Sequence, residues 1–200
     1  MFKMGKLGVF AGGVLGAVLF AGNAMADKIY VLDEAHTEVR FAWSHSGVSI
    51  QTGEFTKTNG TLNLDLDNVE NSSIDVTIDA TSVSSGVEVF DGHLNSASWL
   101  HTSKYPTITF KSTKIERTGE ETANVTGDLT LHGVTKSVTL DTKLTHMGRH
   151  PVGDFLSYYQ GDWIAFSATT EILHQAFRVG SYSTGPIKIS IVSEMKHKPE

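Results

Sequence analysis

The chain has 200 residues, 40% hydrophobic, 19% charged and 9% aromatic, a globular mixture too apolar for a disordered polypeptide. Its 22 acidic and 16 basic residues leave a formal charge of −6, which argues against a protein that tracks a nucleic-acid backbone. With no cysteine it has no disulfide, thiolate metal site, iron–sulfur cluster or cysteine nucleophile.

Residues 1–26 read as a secretory signal. Lys3 and Lys6 give a positive start, Leu7 to Gly22 form an uncharged apolar run, and Ala24-Met25-Ala26 supplies the small-x-small pattern that precedes cleavage. The run is short for a membrane-spanning helix, which takes about 20 apolar residues. Cleavage after Ala26 is therefore expected, leaving one acidic domain over residues 27–200 and a periplasmic location.

From there the chain alternates apolar and polar residues, the period of strands with one buried face. Val39, Phe41 and Trp43 form the first set, then Leu62, Leu64 and Leu66, then Ile74, Val76 and Ile78. Ile108 and Phe110 follow, then Val125, Leu129 and Leu131, then Val138 and Leu140. Ile164, Phe166 and Ile172 share one parity, and Ile187, Ile189 and Ile191 close the series. Turn residues separate the sets at Asp67-Asn68, Thr118-Gly119, His132-Gly133 and Ser183 to Pro186. About eight strands with one apolar face make either a sandwich or a closed barrel. The segment from Tyr159 to Leu173 allows a strand of more than ten residues, and strands that long favour a tall antiparallel barrel. Val87 to Leu100 departs from alternation toward helical spacing. It reads as one or two short helices capping a barrel mouth, or as a surface loop anchored by Trp99.

Three blocks then resemble one family. They are DEAHTEVRFAWSHSGVSIQTGEF at 33–55, DGHLNSASWLHTSKYPTITFKSTKI at 91–115 and GDLTLHGVTKSVTL at 127–140. In this order they are similar to the YceI-like family of bacterial exported proteins, also called polyisoprenoid-binding proteins. The resemblance implies an eight-stranded lipocalin-like barrel that holds a long isoprenoid or similar lipid and needs no metal. One stretch departs from the family. Over EILHQAFRVGSY, residues 171–182, His174 stands at the family's usual Arg and Ala176 at its usual Asp. The Arg–carboxylate pair that the resemblance implies for the last turn is missing.

The search for chemistry finds no catalytic residue and no cofactor. His146 and His150 have i, i+4 spacing, but Gly148 between them and Pro151 after them oppose the helix that would align two imidazoles on a metal. There is no G-x-S-x-G elbow and no phosphate-cradling glycine loop. The inward positions carry the better signal. Phe41, Trp43, Val76, Ile78, Phe110, Leu129, Leu131 and Phe166 are expected to wall the interior, with Leu94 and Trp99 from the helical stretch. In a barrel such residues are core and pocket wall at once, so filled and hollow interiors read alike. His45, after the strand carrying Trp43, and Arg178, whose guanidinium is a donor fork, are expected to meet a ligand's polar end at the mouth. The leading expectation is a periplasmic carrier for an isoprenoid quinone, a quinone precursor or a polyprenyl chain. The alternatives are an enzyme or redox accessory presenting such a ligand to a membrane partner, and a filled barrel without ligand. Oligomeric state, including a homodimer, stays open.

Overall fold

The computed structural model describes residues 28–180 and 185–199. The expected signal at 1–26 and part of the turn at 183–186 lie outside the described residues. Eleven strand segments run antiparallel: β1 (Lys28–Leu32), β2 (Glu38–His45), β3 (Ser49–Phe55), β4 (Thr58–Leu64), β5 (Ser73–Asp79), β6 (Val83–Ser84), β7 (Thr107–Arg117), β8 (Thr122–Leu131), β9 (Val134–Arg149), β10 (Asp162–Ile172) and β11 (Ile187–His197). One α-helix, α1 (Glu88–Asn95), lies between β6 and β7.

These segments make eight staves of a closed barrel. β11 pairs with β1 through Leu32↔Met195 and with β2 through Val39↔Ile191, so β1 and β2 are two halves of one broken stave. β3 and β4 are another, since β2 pairs with β3 and β1 with β4. The first break is a 3₁₀ turn at Glu34–His36, capped by Asp33, whose carboxylate accepts the Ala35 N–H. The β1–β11 ladder closes the ring and leaves no open edge there. The expected long strand is β10, eleven residues.

Alternation places the core as the sequence implies, and two bulges correct it. The β7–β8 register shifts between Ser112 and Lys114, so Phe110 and Ile115, on opposite parities, both turn inward and are buried. The β9–β10 register shifts between Ala165 and Phe166, so Leu144 and Met147 both line the interior. Large rings fit inside because the neighbouring strand lacks a side chain. Phe41 lies over Gly53 and Phe110 over Gly127, where an added Cβ would come within 2.6 and 2.5 Å of the ring. The β8–β9 hairpin turns at His132-Gly133 with φ of 53° and 71°, the two-residue type I′ geometry that matches strand twist.

Candidate ligand-binding site

The inward side chains do not fill the barrel. They surround a cavity of about 490 Å³, within the roughly 300–1,000 Å³ of ordinary small-molecule sites. Its wall is built from alternate residues of the staves, for example Ile187, Ile189 and Ile191 on β11 and Val138 and Leu140 on β9. All ten apolar candidates from the sequence line it: Phe41, Trp43, Val76, Ile78, Leu94, Trp99, Phe110, Leu129, Leu131 and Phe166.

One end is capped. Leu94 of α1, Leu100, Phe177 and Val179 are buried in one cluster with Ile108, Leu131 and Ile172 at the strand ends. Trp43 stacks on Phe90 of α1, ring centroids 5.4 Å apart. Trp99 packs on Gly180, whose N–H donates to the Ser98 carbonyl at 3.2 Å. The helical stretch therefore closes a barrel end. His174 ties down the last turn: its Nδ1 lies 2.6 Å from the Val179 carbonyl, with the residue 1% exposed.

At the other end Tyr30, Leu62, Leu64, Ile164 and Met195 form a second buried cluster, and the cavity reaches the surface beside it. There the cavity reaches the β7–β8 hairpin, where Arg117, Glu120 and Glu121 line it and are exposed, and Met147, also lining, is 53% exposed. Arg117 donates to the Glu120 carbonyl at 3.2 Å within this hairpin. The sequence missed these three residues, because charged residues around Thr118-Gly119 read as an ordinary solvated turn. His45 and Arg178 are not among the lining residues. Both are exposed at the capped end, His45 at the β2–β3 turn and Arg178 in left-handed conformation (φ 62°) after the 3₁₀ turn at His174–Phe177.

The capped end also carries an electrostatic signature. His132 packs against Tyr105, ring centroids 4.5 Å apart and planes tilted by 59°, and neither of its ring nitrogens makes a hydrogen bond of normal geometry. Burial pulls its pKa below the ordinary 6.5, partly offset by the Phe177 backbone carbonyl, and His101, Lys104 and Arg178 push it the same way as burial. A depressed folded pKa means that neutral His132 contributes stability above about pH 6.5, lost as pH falls toward the folded value. Between about pH 7 and about pH 5 the thermal midpoint of the wild type is expected to fall more steeply than that of His132→Asn, which keeps a residue tolerant of positive φ. Parallel curves for the two proteins would contradict this assignment.

With the geometry established, comparison with known proteins places the chain. Residues 30–196 match the model of the YceI-like domain. The chain belongs to the YceI-like family. A UPF0312 protein of Ectopseudomonas mendocina is 41% identical over 150 residues, 74% of this chain and 78% of that one. Protein YceI of Escherichia coli O157:H7 is 42% identical over 134 residues, 66% and 70% of the two chains. Among solved structures, Campylobacter jejuni YCEI superposes with a TM-score of 0.67 at 26% identity, covering 79% of this chain and 91% of that one. Burkholderia cenocepacia BcnA shares the fold, with a TM-score of 0.69 at 24% identity over 82% and 98% of the chains. So does a structure described as a polyisoprenoid binding domain from Saccharophagus degradans, with a TM-score of 0.60 at 16% identity over 84% and 98%. The fold expected from the residues is thus the fold of this YceI-like chain.

Proposed function

We propose that this protein is an exported, non-enzymatic carrier that holds one long isoprenoid lipid inside its barrel. The observation that carries the reading is the cavity itself: apolar on its wall, capped at one end and reaching the surface beside the β7–β8 hairpin at the other. A branched polyprenyl chain matches a wall of Leu, Ile, Val and Phe. Each buried CH₂ contributes about 0.8 kcal/mol before ordering costs, so affinity grows with chain length. The naming of the Saccharophagus degradans relative for polyisoprenoid binding supports the ligand class. The signal-like residues 1–26 support export to the periplasm.

In this reading the tail points toward Trp99 and Leu100, and the polar end lies by Arg117, Glu120 and Glu121 rather than by His45 and Arg178. The barrel needs no reacting group for that task. It excludes water along the chain and presents the polar end at the hairpin.

Titration of delipidated protein with prenyl alcohols of increasing length tests this. Affinity is expected to rise by about tenfold or more with each isoprene unit until the cavity is full, then to level off. Affinity independent of chain length, or no binding at any length, would overturn the proposal.

A further inference from the structure

Outside the barrel, a polar cluster sits at the break between β1 and β2. A carboxylate oxygen of Asp33, a ring nitrogen of His36 and a carboxylate oxygen of Glu194 all lie within 4.8 Å of one another. The backbone fixes this approach, since the Asp33 N–H donates to the Glu194 carbonyl at 2.9 Å. Two carboxylates are thus held together, and among the described residues neither has a Lys or Arg within 4 Å. Only imidazoles meet them: His36 Nδ1 at 2.7 Å from Asp33 Oδ2, and His150 Nε2 at 3.7 Å from Glu194 Oε2.

Two further observations bear on what this cluster can hold. Glu194 Oε2 is itself shielded from solvent, on a side chain that is otherwise 32% exposed, and makes no hydrogen bond. Its facing group is His150 Nε2 at 3.7 Å, so a bound cation would compensate the burial of that oxygen. The flanking groups are also set as an outer layer. Tyr159 Oη lies 3.0 Å from His36 Nε2, and Asp33 Oδ1 accepts from Tyr158 Oη at 2.9 Å and from the Ala35 N–H at 3.1 Å. That is how metal-binding imidazoles and carboxylates are oriented.

We propose that Asp33, His36 and Glu194 bind a divalent first-row transition-metal ion of the zinc type. Carboxylate and imidazole donors suit such an ion, and three protein ligands leave a coordination position for water. On binding, the ion takes the place of the proton between Asp33 Oδ2 and His36 Nδ1. The neutral ring then carries its one proton on Nε2, facing Tyr159 Oη, and a second ring proton, where present, passes to solvent. Tyr158, Tyr159 and His150 reach the site from the connection between β9 and β10, so the bound ion pins that connection to the β1–β2 break. The site is independent of the lipid cavity, because all three ligands lie on the outer side of the barrel.

The test uses the full chain, stripped with a chelator and titrated with Zn²⁺ by calorimetry and with Co²⁺ by visible absorption. One ion per chain is expected, with a rise in the thermal midpoint. Glu194→Gln and His36→Ala should each weaken binding at least tenfold, whereas His93→Ala on α1 should leave it unchanged. Melting each variant without metal separates lost binding from lost folding: Glu194→Gln is expected to melt as the stripped wild type does. No binding by the wild type, or Zn²⁺ affinity unmoved by both ligand substitutions, would overturn the site.

Discussion

Replacing Phe110 with Asp is expected to destabilise the fold by more than about 4 kcal/mol. Phe110 is 8% exposed, lies opposite Val76 on β5 and Leu129 on β8, and covers Gly127 with its ring. Truncating a buried Phe alone costs about 3–5 kcal/mol, and the new carboxylate would stand in an apolar wall without a partner. The neighbouring residue makes the control. Thr109 points outward between Thr77 and Thr130, and Thr109→Asp is expected to change stability by no more than about 0.5 kcal/mol. Urea midpoints of the two variants check this. Equal midpoints would mean that the inward parity of β7 is misassigned.

The second large effect is on the ligand and not on the fold. Ala168 lies on β10 with its methyl turned into the cavity, opposite Thr142 and Ile191. An indole there enters open volume and not packed core, so Ala168→Trp should fold with an overpacking cost of about 1–3 kcal/mol at most. The same ring blocks the path of an apolar chain, and lipid affinity should fall by about a hundredfold or more. Thr169→Trp, on the exposed outer face of the same strand, should bind as the wild type does. A loss shared by both variants would mean that β10 is disturbed as a whole.

The sequence carried the parts of this fold that depend on neighbours along one strand. Alternation at Ile187, Ile189 and Ile191 or at Val138 and Leu140 marks one face whatever the partner strand is. The His132-Gly133 turn is read from local chemistry for the same reason. What needed closure was invisible. The break at Asp33 to Thr37 and the bulges near Thr113 and Thr145 change which parity points inward, and only the pairing partner fixes them. His45 and Arg178 stand off the cavity wall for a similar reason. His45 and Arg178 follow strands that do wall the cavity, but α1 and the segment from His174 to Gly180 close that end and leave both side chains outside. Arg117, Glu120 and Glu121 reach the cavity only because their hairpin stands at the uncapped rim.

The outer cluster shows the same limit. Asp33 and Tyr158 are 125 residues apart in sequence and hydrogen-bonded in space. Burial alone would raise the Asp33 carboxyl, but hydrogen bonds from His36, Tyr158 and the Ala35 N–H outweigh it and hold it below the usual carboxylate range. Trp163 explains why this region is ordered. Its ring is turned outward on β10, yet only 1% of the residue is exposed, because Tyr158, Tyr159 and His150 cover it. An isolated outward Trp in a strand pattern reads as an exception, and nothing local says what covers it.

Organic extraction of the purified wild-type protein and of Ala168→Trp, followed by mass spectrometry of the extracts, decides whether the barrel carries an isoprenoid lipid. About one lipid per wild-type chain is expected, with the mass spacing of isoprene units, and little or none from Ala168→Trp. An empty wild-type extract, or the same lipid in equal amount from both proteins, would contradict it.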